Sequence, residues 1–250
     1  MIGVKAALAK IILVASGKGG AGKSTVSALL GQALASLGHK TLIIELDSGL
    51  RSLDVSLGIS KDVVFDLGDI IRGSCETAAA VMPCPFCGGT SVICAAAKPV
   101  LAESETIGKI AEELGEGFDF ILLDCPAGIG EQLTNAANSA DFGLIVSTPD
   151  PSSIRAAGKL SALLREKGLN KIRLIIERCP QKSKKLAPVK NLDEVINGAA
   201  TRLIGVVWED PLTREAVDSG VPLSFGSPNK KAFDNIARRI LGERVPLGFK

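Results

Sequence analysis

Apolar residues in this chain come in short unbroken runs, separated by stretches with helical spacing. Ile11-Ile12-Leu13-Val14, Thr41 to Glu45, Ser91 to Ala95, Phe118 to Asp124, Phe142 to Ser147, Ile172 to Ile176 and Leu203 to Trp208 each read as a strand. The runs are continuous rather than alternating, which marks strands buried on both faces. Helices are expected over Val26 to Leu37, Glu103 to Leu114, Glu131 to Ala140, Ser152 to Lys167, Pro211 to Ser219 and Lys230 to Leu241. In the second of these, Ile107, Ile110, Ala111 and Leu114 share one face. Leu57 to Ile71 mixes apolar and acidic residues in short helical pieces. Strands alternating with helices predict an α/β fold of three layers, a mostly parallel central sheet with helices on both faces. No repeat or low-complexity linker interrupts the pattern, and Pro180 to Lys190, the most loop-like stretch, is too short to divide domains. One domain over 1–250 is expected, with 1–10 as an N-terminal extension and 242–250 as a C-terminal tail.

Composition narrows the function classes. A chain of 250 residues, 46% hydrophobic and 22% charged, can bury a sizeable core. Its net charge of +2 sets up no global field for nucleic acid or membrane. Aromatic residues are 4%, without tyrosine and with one tryptophan, which disfavours a stacking platform for single strands. The one histidine, His39, falls in the turn Leu37-Gly38-His39-Lys40, so histidine acid–base chemistry has almost no candidate. No apolar run approaches the about 18 residues of a membrane span. Lys5 and Lys10 before an apolar run faintly mimic a secretory leader, but its cleavage would remove the first strand. Six cysteines without a leader suggest free thiols in a reducing cytosol.

The chemistry centres on Ser16-Gly17-Lys18-Gly19-Gly20-Ala21-Gly22-Lys23-Ser24-Thr25. Gly17, four residues, then Gly22-Lys23-Ser24 is the phosphate-loop spacing, and it sits between an expected strand and an expected helix. Glycines let successive N–H groups face one anion, and the helix beginning near Lys23 points its positive end at the same place. Lys23 is placed to reach the terminal phosphates and Ser24 to ligate magnesium. Asp124 ends a run of bulky apolar residues, where an ionised carboxylate needs a cation or donors, and magnesium supplies one. Asp47, just past the second strand, is the candidate to orient the attacking water, since phosphoryl transfer needs positioning more than a strong base.

Lys18 is not required by an ordinary phosphate loop. With it, Lys18 to Thr25 resembles the deviant phosphate loop of the MinD/ParA family of ATPases. The resemblance covers roughly Ile11 to Leu241 and implies a P-loop NTPase fold, ATP as substrate and magnesium as cofactor. It implies that Gly17, Lys18, Gly19, Gly20, Ala21, Gly22, Lys23, Ser24 and Thr25 bind nucleotide, with Ser24 and Asp124 on magnesium. It also implies a catalytic set of Lys18, Asp47 and Lys23, with Lys18 crossing the interface of an ATP-dependent homodimer. The stretch Glu45, Asp47, Gly49, Leu50, Arg51, Ser52, Leu53, Asp54 is closer to the MinD branch than to the ParA branch. That branch implies a nucleotide-switched spatial regulator of division-site placement, with a regulatory protein partner of the MinC or MinE kind. Cytoplasm is the expected location, with the inner face of the membrane as a weaker second. For Arg51 and Asp54 a salt-bridged surface loop and a partner contact are both open. The chain departs from the pattern with Glu45 for an aspartate, Cys125 for a small hydroxyl residue and Trp208 for a proline. Where the family supplies an asparagine or arginine near the adenine, Ile176-Glu177-Arg178-Cys179-Pro180 offers Arg178. Cys125 to Gly130 is expected to include a mobile sensor of the terminal phosphate, since it resembles a family segment.

Cys84-Pro85-Phe86-Cys87-Gly88-Gly89 lies outside the family pattern. It reads either as one half of a zinc knuckle, completed by Cys75, Cys94 or a second chain, or as a plain turn, and the turn is the expectation. Related Mrp-type iron–sulfur carriers hold a Cys-x-x-Cys later in the chain and give a rival function. A ParA-like DNA partitioner, binding through residues such as Lys182, Lys184, Lys185, Lys230, Lys231, Arg238 and Arg239, is a third, which the balanced charge does not favour. The end of the chain, from Arg244 to Lys250, leaves little free apolar area, so autonomous lipid binding is expected to be weak or absent.

Overall fold

A computed structural model describes residues 9–48, 51–180, 189 and 191–247. The strands are β1 (Lys10–Ala15), β2 (Thr41–Glu45), β3 (Met82–Pro83), β4 (Thr90–Ile93), β5 (Phe120–Asp124), β6 (Phe142–Ser147), β7 (Ile172–Cys179) and β8 (Arg202–Trp208). The helices are α1 (Lys23–Ser36), α2 (Leu53–Ser56), α3 (Leu67–Ile71), α4 (Ser104–Leu114), α5 (Glu131–Asn138), α6 (Pro151–Glu166), α7 (Leu192–Ala199), α8 (Pro211–Asp218) and α9 (Pro228–Ile240). One eight-stranded sheet runs in the order β3-β4-β2-β5-β1-β6-β7-β8. Only β3 is antiparallel among its described pairings.

The period of the strands explains why both faces are covered. Along β1, Ile12 and Val14 pack on one side with Val26, Leu30 and Leu34 of α1 and Phe233 and Ile236 of α9. Leu13 and Ala15 pack on the other side with Ile107 of α4, Leu133 of α5 and Leu160 of α6. Successive strand side chains alternate faces, so an all-apolar strand serves two helical layers. The parallel strands bring the ends of β1, β2, β5, β6 and β7 to one edge of the sheet, where ligands of open α/β sheets bind.

Several boundaries differ from the sequence expectation. The extension expected over 1–10 gives up Ala9, which is buried, and Lys10, which opens β1 and pairs with Phe120; residues 1–8 lie outside the described residues. β3 is two residues long and carries no periodic signal. α7 was not expected, although Asn191 caps it by accepting from the Glu194 N–H. β7 runs on to Cys179 because that residue pairs with Trp208 across a bulge, where Arg178 takes φ 52°. Arg239 folds the described part of the tail back, donating to the carbonyls of Val245 and Pro246. Among the described residues, no helix is long and apolar enough to cross a membrane.

Candidate active site

The loop from Gly17 to Gly22 joins β1 to α1, and two glycines are demanded by the geometry. A Cβ on Gly17 would stand 2.6 Å from the carbonyl oxygen of Ala156 in α6. Gly22 has φ +88°, and a Cβ there would meet the Glu177 carboxyl carbon at 2.9 Å. Gly22 is also the N-cap of α1 and supplies no side-chain cap, which leaves the helix's first N–H groups for an anion.

Asp124 is the hub behind this loop. It is fully buried, with Lys23 Nζ at 3.4 Å from Oδ1, while the Ser24 hydroxyl donates to Oδ2 at 2.7 Å and the Ser27 hydroxyl to Oδ1 at 2.8 Å. A buried carboxylate is tolerable when a cation and hydroxyls face it together. Ser24 and Asp124 offer hard oxygen donors side by side, the chemistry magnesium takes, with phosphate and water left to complete its shell. Ser27, one turn beyond Ser24, is a partner the sequence reading missed. Its clue was the spacing of three, which puts both hydroxyls on one face of α1.

Asp47 lines the same cleft, and its carboxyl is pushed up by partial burial, opposed by Lys23 and reinforced by Asp124. Lys18 points away from the loop's interior. Its ammonium lies 3.2 Å from Asp150 Oδ1 and 2.8 Å from the Ser152 hydroxyl, with half of the side chain exposed. Partial burial opposes ionisation of Asp150, yet bonds from Ser152, Thr148, the Ser153 N–H and Lys18 hold its carboxyl well below the usual range. Ala127 reaches the cleft, and the Gly128 N–H donates to the Ser16 carbonyl at 2.9 Å.

Glu45 takes no part in the cation site. It is buried and raised by that burial, and it accepts from the N–H groups of Ala95, Ser52 and Leu53 and from the Ser52 hydroxyl. The family's aspartate position is therefore filled here by a brace between β2, the start of α2 and the end of β4. Arg51 Nε lies 3.7 Å from Asp54 Oδ2, while Gly49 and Leu50 lie outside the described residues. Of the basic residues considered for DNA, Lys182, Lys184 and Lys185 also lie outside them, and Lys230 is paired with Asp234 at 2.6 Å.

A cleft of about 830 Å³ runs from Asp47 across Gly19 to Thr25 to a second end at Glu177, Arg178, Trp208 and Asp210. Arg178 arrives there, but its Nη2 donates to the Gly20 carbonyl, which ties it to the loop. Glu177, two residues before the end of β7, also lines this end of the cleft and was not singled out from the sequence.

A family profile described as "ParA: NUBPL iron-transfer P-loop NTPase" matches residues 7–241. The septum site-determining protein MinD of Bacillus subtilis is 35% identical over 246 residues, which span 96% of this chain and 92% of that protein. The chain belongs to the MinD branch of the ParA family. It is a P-loop ATPase with the fold of solved MinD proteins. The MinC:MinD cell division protein complex of Aquifex aeolicus aligns with a TM-score of 0.88 and 31% identity, covering 96% of this chain and 99% of that one. MinD of Pyrococcus horikoshii, complexed with Mg-ADP, gives a TM-score of 0.83 at 28% identity, with 93% and 96% covered. Of the residues singled out in the sequence, Lys23, Ser24 and Asp47 line the cleft, Asp124 lies buried behind it bonded to Lys23 and Ser24, and Lys18 turns to Asp150 and Ser152 instead.

Proposed function

We propose that this chain acts as one MinD-like ATPase domain that switches between monomer and dimer with its nucleotide and so marks the division site. Gly17 to Thr25 hold the phosphates, Lys23 faces the terminal ones, and Ser24 with Asp124 hold magnesium. When bound, magnesium neutralises charge on the phosphates. Asp47 orients the attacking water; its raised carboxyl and its place across the cleft from Lys23 support that role. Lys18 crosses to a second chain and meets charge developing on the transferred group. The observation that carries this reading is Lys18 itself. It faces outward on a contact with Asp150 and Ser152 that solvent reaches, so leaving it costs little. ATP then selects the dimer and hydrolysis releases it.

The Aquifex MinC:MinD complex supports a regulatory partner of the MinC kind, and the Pyrococcus Mg-ADP complex supports the nucleotide and metal. The cytoplasm is the proposed location. Light scattering during size-exclusion chromatography tests the switch: Asp47→Ala protein elutes as a dimer with ATP and a monomer with ADP. A monomer in both would defeat it.

Metal carriage is a second reading, favoured by one local observation. The Cys84 thiol is held down by a hydrogen bond from Cys87 and, against its burial, by the N–H groups of Phe86 and Cys87. Such thiolate-stabilising turns suit soft metals. Iron or zinc near half an equivalent per chain in protein purified without oxygen, lost in a Cys84→Ser/Cys87→Ser variant, would establish it.

A further inference from the structure

At the edge of the sheet opposite the phosphate loop, positive charge collects without a partner. A hollow of about 650 Å³ opens where β7 and β8 begin and α6 and α7 end. Arg165, Lys171, Arg173 and Arg202 line it, with Asn170 and Asn197, and no aspartate or glutamate does so among the described residues. The whole chain carries 29 lysines and arginines against 27 aspartates and glutamates, so this gathering of one sign is a local segregation of charge. None of these four cations forms an ion pair among the described residues.

The fold holds the cations close rather than letting them spread. Arg173 and Arg202 are register partners on neighbouring parallel strands, so both side chains leave one face of the sheet. Like charges set opposite each other on adjacent strands destabilise the pairing. Arg165 is fixed from the helical layer, donating to the Ser161 hydroxyl at 2.7 Å and to the Ala200 carbonyl at 2.7 Å. Ala200 lines the same hollow with φ 50°, a left-handed conformation that is strained for alanine, and such strain gathers at functional sites. Arg173 donates one N–H to the Ile172 carbonyl at 2.8 Å, and a guanidinium has more to give. Donors and charge are left over for an anion.

We propose that this hollow binds a phosphate-bearing anion with two or more phosphoryl groups, at a site separate from the ATP cleft and independent of the nucleotide reading. One phosphoryl group brings a charge of about −1.5 to −2 near neutral pH, so a pair of them balances these cations. Guanidinium forks match phosphate oxygens two at a time, and the asparagine amides add neutral donors. An anion between Arg173 and Arg202 turns their repulsion into two attractions.

The test titrates inorganic pyrophosphate into the full chain with ADP saturating the phosphate loop, so that the loop does not take the probe. Wild type is expected to bind a single pyrophosphate per chain. Arg173→Gln/Arg202→Gln is expected to bind it at least about tenfold more weakly, through lost charged hydrogen bonds, with its ADP affinity unchanged. Arg173→Lys/Arg202→Lys keeps the charge without the forks and is expected to stay weak. In melts at low salt without pyrophosphate, the Gln variant is expected to match or exceed wild type, since the repulsion is gone; added pyrophosphate then raises wild type alone. Phosphatidylcholine vesicles with and without phosphatidate separate the sources. Sedimentation that needs phosphatidate and is lost in the Gln variant assigns the anion to a lipid headgroup, and pyrophosphate binding without sedimentation assigns it to a free phosphate. Wild type that binds neither probe overturns the proposal, as does a Gln or Lys variant that binds as wild type does. Duplex DNA binding that is lost in the Gln variant while both phosphate probes fail overturns it too, in favour of a nucleic-acid contact.

Discussion

The two ends of the cleft handle buried carboxylates in opposite ways. At the phosphate end Asp124 is fully buried and faced by an ammonium and two hydroxyls. At the far end Glu177 is almost as buried, but its Oε2 has no hydrogen bond among the described residues. A satisfied buried charge is part of the fold and persists without ligand, whereas an unsatisfied one is costly until something binds. The phosphate end is thus built in advance, while the far end holds its carboxyl with one long ion pair to Arg178.

The sharpest way to break this contrast is to unbalance the satisfied end. Lys23→Ala removes the ammonium facing Asp124 and leaves a buried carboxylate with hydroxyls alone. Such losses cost about 3 kcal/mol or more. Urea unfolding without nucleotide is expected to show that loss, and a Lys23→Met/Asp124→Leu double change is expected to recover part of it. An Ala variant as stable as wild type would mean that the pair is not what holds the loop on the sheet.

Next in size is turnover. Lys18→Ala is expected to lose on the order of a hundredfold in ATP hydrolysis, the usual effect of one transition-state charge contact, while keeping its affinity for ATP. Asp47→Ala is expected to lose turnover as well and to stay dimeric with ATP. The two lysines of one loop then separate cleanly, Lys23 acting on binding and stability and Lys18 on rate. A Lys18→Ala protein that hydrolyses at the wild-type rate as a monomer would reduce the reading to a generic phosphate-loop ATPase.

The phosphate end was legible in the sequence because its chemistry is local. Spacing fixes Gly17, Gly22, Lys23 and Ser24 within one turn and one helix start, and Asp124 announces itself as a charge closing an apolar run. Seven of the eight strands were visible for a related reason, since a strand buried on both faces cannot hide its composition. β3 escaped because two residues have no period, and α7 because it follows the loop-like basic stretch. The far end was harder. It is assembled from the ends of β7 and β8 and the start of α8, distant in sequence, and no short motif spans them. Arg178 drew the reading because the family offers an arginine there, yet its guanidinium bonds to the loop backbone and stands 3.6 Å from the Glu177 carboxyl beside it. Glu45 is the opposite case: it departs from the family at a family position, and backbone N–H groups claim its oxygens.

The open end also has a stability signature. Glu177 ordinarily titrates near 4.5 and is raised to about 7 by burial. Below the lower value both folded and unfolded chains are protonated, and the group costs nothing. Between the two the unfolded chain loses its proton first, so stability falls as pH rises towards 7 and then levels. Glu177→Gln removes that fall. Without nucleotide, it is expected to match wild type near pH 4.5 and to exceed it near pH 8 by about 3 kcal/mol. Melting curves that stay parallel across this window would show that Glu177 is solvated or paired, and the contrast between the ends would vanish.

The smallest effect belongs to a pair outside the cleft lining that the sequence could not assign. Arg51 lies 3.7 Å from Asp54 at a spacing of three; Arg51 is partly exposed and Asp54 is buried. That distance exceeds a hydrogen bond, and pairs of this kind contribute at most about 1 kcal/mol. Arg51→Gln is expected to shift unfolding by less than that and to leave ATP turnover unchanged, because no observation ties Arg51 to Asp124 or Lys23. Its consequence should then surface only when a regulatory protein is added, as a lost stimulation of turnover or weaker co-elution of the partner. A tenfold fall in basal turnover would instead move Arg51 into the phosphate machinery and enlarge the satisfied end beyond Asp124. No change in either assay would leave Arg51 and Asp54 as a surface salt bridge, which gives the baseline against which the larger effects at Lys23, Lys18 and Glu177 are measured.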